Sequence, residues 1–210
     1  MTDRPAMIFD FGNVVAHFDF ARSGERLGQP LGLSGPEFVE IAKEAGLGEV
    51  LKVYESGGMD SEEFHRRVCS LTRIEPTFDA FATDWGDIFT PNEPVHAILR
   101  ELKRLGYPLF LGSNTNELHA RHFRRQFEAI LGLFDGLILS YEVGRIKPDS
   151  GFFGACAAVA GRPPRECVFI DDLVENVEAA RSAGMIGLVY RDTAGLIEEL
   201  RGLGVKLSLL

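Results

Sequence analysis

The chain has 210 residues, 45% apolar and 25% charged, with a formal net charge of −9. A chain this long buries roughly 70% of its unfolded surface, so a core can form without disulfides. The acidic balance disfavours nucleic acid and anionic membrane surfaces as partners, and Cys69, Cys156 and Cys167 show no metal-ligand spacing.

The first predicted strand is the apolar run 6–9. The segment before it carries charged residues where a signal peptide needs an unbroken apolar stretch, and nowhere does the chain approach ~18 consecutive apolar residues. A cytoplasmic protein is expected. Residues 16–90 have a different texture, reading as short helices at 36–45, 60–71 and 78–88 joined by glycine-rich turns. Asp60 is placed to cap the second of these, with Glu62 and Glu63 in its first turn.

From residue 91 the pattern turns regular. Val95, Ile98, Leu99, Leu102 and Leu105 recur at helical spacing over 94–105, and Gly106 stops that helix before a strand at 107–111. Then follow a helix at 118–131, a strand at 136–140, a helix at 150–160, a strand at 167–170, a helix at 174–183, a strand at 186–190 and a helix at 193–203. Continuous apolar strands alternating with helices imply a parallel sheet covered on both faces. The expected fold is α/β, a doubly wound, Rossmann-like core over 1–15 and 91–210, with a helical insertion at 16–90 sitting over the sheet after the first strand.

Ligands of open parallel sheets bind beyond the carboxyl ends of the strands, so the residues following each strand carry the functional information. After the first strand comes Asp10-Phe11-Gly12-Asn13, and after the second Gly112-Ser113-Asn114-Thr115-Asn116. Arg145-Ile146-Lys147-Pro148-Asp149 precedes the 150–160 helix, and Asp171-Asp172 ends the 167–170 strand. Singly, each has a plain structural reading: a cap, a helix start, a solvated lysine. Together they supply a carboxylate nucleophile (Asp10), a hydroxyl and an amide (Ser113, Asn114), a cation (Lys147) and two further carboxylates. Three clustered carboxylates repel one another unless a cation neutralises them. Oxygen donors without histidine or cysteine suit a hard ion such as Mg²⁺, which would also attract an anionic substrate to an acidic protein. Phosphoryl transfer then follows as the expected chemistry. Asp10 attacks phosphorus, while Ser113, the Asn114 main-chain amide and Lys147 hold the non-bridging oxygens.

These four segments, in this order, resemble the motifs of the haloacid dehalogenase-like hydrolases, in particular α-glucose-1-phosphatase-type enzymes and the phosphatase domain of soluble epoxide hydrolase. The resemblance implies Asp10 as nucleophile, Ser113 and Lys147 as catalytic partners, and a helical cap. It also implies Mg²⁺ held by Asp10, the Gly12 carbonyl and the Asp171-Asp172 pair. Asp172 is the expected direct ligand, with Asp171 either behind it or paired to Lys147. The expected substrate is a small phosphate ester.

Gly12 departs from the pattern, because most phosphatases of this group carry a second aspartate there as general acid and base. Losing such a group typically costs ~10²–10⁴ in rate. Two expectations follow: a preference for good leaving groups, as in a sugar 1-phosphate, or proton supply by His17. The alternatives to a phosphatase are a 2-haloacid dehalogenase, which the acidic pair disfavours by repelling a substrate carboxylate, and a weak phosphate-ester-binding protein. His119 and His122, three apart on one helix, have no acidic third partner for zinc, and Trp85 is expected in packing.

Overall fold

The computed structural model describes residues 4–209; Met1–Asp3, where the N-terminal reading begins, and Leu210 lie outside the described residues. Strand β1 (Ala6–Phe9) leads through a tight loop into β2 (Ala16–Phe18) and helices α1 (Phe20–Gly28), α2 (Gly35–Glu44), α3 (Leu47–Glu55), α4 (Ser61–Thr72) and α5 (Phe78–Gly86). The chain returns through β3 (Phe89–Pro91) to α6 (Glu93–Arg104), β4 (Leu109–Ser113), α7 (Glu117–Gln126), α8 (Glu128–Leu131) and β5 (Gly136–Leu139). It ends with α9 (Ser140–Val143), α10 (Ser150–Ala160), β6 (Cys167–Asp171), α11 (Val174–Ser182), β7 (Ile186–Val189) and α12 (Thr193–Gly202).

Five strands form one parallel sheet in the order β5-β4-β1-β6-β7. Alternation of side chains explains why its strands are apolar throughout. Met7, Phe9, Leu109, Leu111, Val168 and Ile170 join one core, with α6, α7 and α12. Ala6, Ile8, Phe110, Cys167 and Phe169 join the other, with α10 and α11. The doubly wound α/β architecture expected from the sequence is therefore present. β1 lies at the centre, where the strand order turns from the β4 side to the β6 side, and its C-terminal end is the topological switch point.

Helices α1–α5 pack around a separate cluster that includes Phe38, Tyr54, Phe64, Phe81 and Trp85. Two of them, α1 and α3, are additional to the three read from sequence. Both contain internal glycine, Gly24 in α1 and Gly48 in α3, which weakens the local helix signal. Gly24 is needed in α1 because its Cα meets α2 closely: a Cβ there would lie 2.5 Å from the Gly35 carbonyl oxygen. Asp60 caps α4 as expected, accepting from the Glu63 N–H at 2.7 Å. The chain leaves and re-enters the sheet region through an antiparallel ribbon of β2 and β3, which pairs Ala16 with Pro91 and Phe18 with Phe89. The 118–131 helix of the sequence reading is two helices, broken at Phe127. Phe127 is buried against Phe11, so the apolar pattern runs on through the break.

Candidate active site

Strand register brings the site together. Phe9 is level with Leu111 on one side and Ile170 on the other, so Asp10, Gly112 and Asp171 sit at one height on three adjacent strands. The Asp10 N–H donates to the Ile170 carbonyl at 2.8 Å, which fixes the first residue beyond the strand. Phe11 turns back into the protein, packing on Phe89, Phe123 and Phe127 with ring centroids 5.1, 4.4 and 5.4 Å away. Asn13 then takes φ +57°, a left-handed conformation that asparagine tolerates better than most residues.

Lys147 reaches into this cluster from the loop before α10. Its ammonium donates to Asp10 Oδ1 at 2.7 Å, to Asp171 Oδ2 at 2.7 Å and to the Gly112 carbonyl at 3.1 Å. All three of its donors are used, and the side chain is 1% exposed, which removes the solvated-lysine reading. Asn114 explains how the lysine is aimed. Its side-chain amide clasps the Lys147 main chain from both sides, donating to the carbonyl at 3.0 Å and accepting from the N–H at 2.7 Å. Ser113 is buried at the end of β4, its hydroxyl 3.3 Å from the Asn114 carbonyl. Ser140 braces the next residue, accepting from the Thr115 N–H and donating to its carbonyl, each at 2.9 Å.

The two acids after β6 have different surroundings. Asp171 is fully buried and saturated, accepting from Lys147, from the Leu173 N–H at 2.9 Å and from Asn176 Nδ2 at 3.0 Å. Asp172 is half-buried and accepts one bond from Asn13 Nδ2 at 3.2 Å. One carboxylate oxygen from each of Asp10, Asp171 and Asp172 lies within 4.8 Å of the others. With all three ionised and Lys147 as the cation among them, the cluster has a formal charge of −2. Burial pushes the Asp10 carboxyl up to about 7; Lys147 opposes the shift and Asp171 adds to it. Burial also raises Asp172, against the pull of the Asn13 hydrogen bond. Burial works against the Lys147 ammonium, but Asp10 and Asp171 outweigh it and hold its pKa above the ordinary lysine value. Crowded carboxylates with raised pKa values, oxygen donors only, and a surplus of two negative charges fit a hard divalent cation.

Beside this cluster a cleft of about 170 Å³ opens between the sheet and the helices above it. Gly12, Ser113, Asn114 and Thr115 line its floor, and Phe18, Phe20, Leu51 and Phe89 its walls, with Glu55 the one carboxylate among the described residues that line it. Burial pushes Glu55 up to about 7, with Lys147 opposing. His119 also faces the cleft, yet both ring nitrogens are engaged, Nδ1 with Asn116 Nδ2 at 2.9 Å and Nε2 with the Trp85 carbonyl at 3.2 Å. It stacks on Trp85 with rings 5.6 Å apart and serves packing. His17 is exposed on β2, and among the described residues it does not line the cleft.

The structure thus gathers Asp10, Gly12, Ser113, Asn114, Lys147, Asp171 and Asp172 at one end of the sheet. Sequence reasoning missed Asn13, Ser140, Asn176 and Glu55. Asn13 and Asn176 adjoin the acidic motifs and could have been found as amides poised to orient them. Glu55 carries no such signal, because it lies far along the chain in a helix that the glycines conceal.

Known proteins resemble this chain in sequence and in fold. The chain is 34% identical over 113 residues to a sesquiterpene phosphatase of Aspergillus oryzae, an alignment covering 54% of this chain and 57% of that one. It is 26% identical over 219 residues to a phosphatase of Mycobacterium tuberculosis, covering 97% and 96%. The match to a bifunctional epoxide hydrolase of Rattus norvegicus, 32% identical, covers 52% of this chain and 20% of that one. The chain therefore spans little over half of the first of these relatives and a fifth of the epoxide hydrolase. In three dimensions it resembles a HAD family enzyme of Bacteroides thetaiotaomicron crystallised with magnesium and inorganic phosphate. The TM-score is 0.76 at 23% identity, over 90% of this chain and 94% of the other, a likeness of fold. No described helix is long and apolar enough to cross a membrane. With the family model for haloacid dehalogenase-like hydrolases matching residues 6–184, the chain belongs to the haloacid dehalogenase-like hydrolase family.

Proposed function

We propose that the protein is a magnesium-dependent phosphatase that hydrolyses a small phosphorylated metabolite through an aspartyl-phosphate at Asp10. The observation that carries this reading is the buried bridge from Lys147 to Asp10 and Asp171, with Asp172 alongside. Lys147 holds Asp10 Oδ1, which orients the carboxylate and leaves its second oxygen to attack phosphorus. The Ser113 hydroxyl and the Asn114 main-chain N–H are assigned to the non-bridging phosphate oxygens, because the Asn114 side chain is already committed to Lys147. Asp10, the Gly12 carbonyl and Asp172 would hold Mg²⁺, with Asp171 behind them, saturated by Lys147, Leu173 and Asn176. When bound, the ion supplies charge neutralisation for phosphate and carboxylates. Residues 16–90 are assigned the role of a cap that closes the cleft and selects the substrate.

The phosphatases among the similar proteins support phosphate-ester chemistry, and the substrates in their names differ, from a sesquiterpene to D-ribitol 5-phosphate. The cleft narrows the choice. Its walls of Phe11, Phe18, Phe20, Leu51, Ile88 and Phe89 offer a sugar few partners for its hydroxyls. An ester with an apolar or aromatic leaving group fits this wall better than the sugar 1-phosphate that the glycine at position 12 suggested. A haloacid dehalogenase is disfavoured, because two surplus negative charges would repel a haloacid carboxylate. A weak binding protein is disfavoured by the complete set of site residues. The test is a panel of phosphate esters assayed for phosphate release with Mg²⁺ and with EDTA, using wild type and Asp10→Asn. Release that requires both Mg²⁺ and Asp10 is expected, and dehalogenation of a 2-haloacid in EDTA would refute the proposal.

A further inference from the structure

Any phosphomonoesterase acting on an ordinary alcohol ester must deliver a proton to the departing oxygen, and the loop after β1 carries no acid for this. Position 12 is glycine, and a Cβ there would lie 3.0 Å from the Phe18 ring. His17 is turned to solvent. We propose that Glu55, at the C-terminal end of α3, is the catalytic acid and base of this site, donating to the leaving-group oxygen and then accepting from the attacking water. This rests on the phosphatase reading above and adds a residue to it.

Three observations carry the assignment. Glu55 lines the same cleft as Gly12, Ser113 and Asn114, on an otherwise apolar wall. Its helix end is tied to the sheet region. The Tyr54 hydroxyl accepts from the Leu118 N–H at 3.2 Å and donates to Ser61 Oγ at 2.7 Å, and Ser61 donates to Glu117 at 2.5 Å. Two residues on, Gly57 takes φ +73° and packs so closely on α9 that a Cβ would lie 2.4 Å from the Tyr141 carbonyl oxygen. Tyr54 and Gly57 thus hold Glu55 over the site from both sides.

Its ionisation fits the role. Burial raises the carboxyl to about 7, and the charge of Lys147 opposes the shift. The other charged groups nearby are engaged elsewhere: Lys52 with Glu49, Glu117 with Ser61, and Glu142 with Arg124. A carboxyl poised near neutrality can both give and take a proton.

An Asp10 oxygen bonds to phosphorus as the phosphorus–alkoxide bond breaks, and the alkoxide oxygen takes the Glu55 proton and leaves as the alcohol. Water then attacks the phosphorus, Glu55 carboxylate takes its proton, and the phosphorus–Asp10 bond breaks to release inorganic phosphate and restore the Asp10 carboxylate and the protonated Glu55.

The test compares wild type and Glu55→Gln, with Mg²⁺, on two esters of similar bulk. p-Nitrophenyl phosphate releases a stable anion and needs no proton, whereas 2-phenylethyl phosphate releases a basic alkoxide. The kcat/KM for the alkyl ester should fall about 10²–10³-fold, while that for the nitrophenyl ester changes less than about 5-fold, the scale of a lost general acid. In wild type the alkyl-ester kcat/KM should fall above about pH 7, and the variant should lose that limb. A retained first-turnover burst of nitrophenolate, which precedes the water step that needs the Glu55 base, shows that the variant is folded. Equal losses on both esters, or no loss on either, overturn the assignment. Wild type that releases no phosphate from the nitrophenyl ester overturns it together with the phosphatase reading.

Discussion

Replacing Lys147 by methionine shortens the side chain by one atom and removes its charge. Asp10 and Asp171 are then left buried side by side, each having lost a contact of 2.7 Å. At an effective dielectric of ~20, each such contact is worth about 6 kcal/mol before desolvation, and desolvation of the ions offsets much of this. Breaking a buried pair by removing one partner costs about 3–5 kcal/mol net, which is the expected loss for Lys147→Met at alkaline pH. The deficit should shrink in acid. Asp10 already has its pKa raised to about 7 in the fold, from the ordinary 3.8, and losing Lys147 raises it further. A carboxyl raised by folding favours the folded state at low pH, and that advantage is lost as pH rises through the folded value. Lys147→Met should therefore be close to wild type near pH 5 and lose stability progressively above pH 7, by up to about 1.4 kcal/mol per pH unit. Urea unfolding in EDTA, followed by the fluorescence of the single tryptophan Trp85, reads this at pH 5 and pH 8. A difference below about 1 kcal/mol at pH 8, or one independent of pH, would refute the reasoning.

Gly57→Ala should destabilise the protein more than Gly46→Ala. Both positions have positive φ, costing ~1–2 kcal/mol, but Gly46 has open space where Gly57 meets the Tyr141 carbonyl; equal losses in urea unfolding would contradict a docked cap. Burial drives His119 down to about 3 from the ordinary 6.5, so the stability it contributes is complete above pH 6.5 and is lost as pH falls toward 3. His119→Gln should flatten unfolding free energy against pH below 6.5 by up to about 1.4 kcal/mol per unit, and an unchanged slope would contradict this. Asn13→Gly keeps the left-handed backbone and deletes the hydrogen bond to Asp172, so calorimetric Mg²⁺ affinity should weaken about 10–100-fold. Unaltered affinity would remove Asp172 from the proposed ion site.

The parts of the fold that the sequence discloses are those whose burial imposes a pattern. β1, β4 and β6 are apolar at nearly every position because both faces of the sheet are covered, and a reader meets them as unbroken runs. Asp10, Ser113 and Asp171 are conspicuous because they end such runs. β2 and β3, three residues each, are too short to show a period, and α1 and α3 are masked by internal glycines, of which Gly24 lets α1 approach α2 closely while Gly48 faces open space. The site partners that escaped detection depend on contacts across long stretches of chain. Asn13 meets Asp172 across 159 residues, and Ser61 meets Glu117 across 56. Asn114 shows a third case. Its place in the motif was legible, while its hold on the Lys147 main chain follows from the loop geometry before α10.

The most direct test of the account is to trap the covalent species. Enzyme mixed with a phosphate ester labelled in the phosphoryl group, in Mg²⁺, is quenched in acid within milliseconds and mapped by peptide mass spectrometry. Label on the peptide bearing Asp10, absent in Asp10→Asn and absent when EDTA is present, is the predicted result. Hydrolysis that proceeds in Asp10→Asn, or label carried by any other residue, would contradict it.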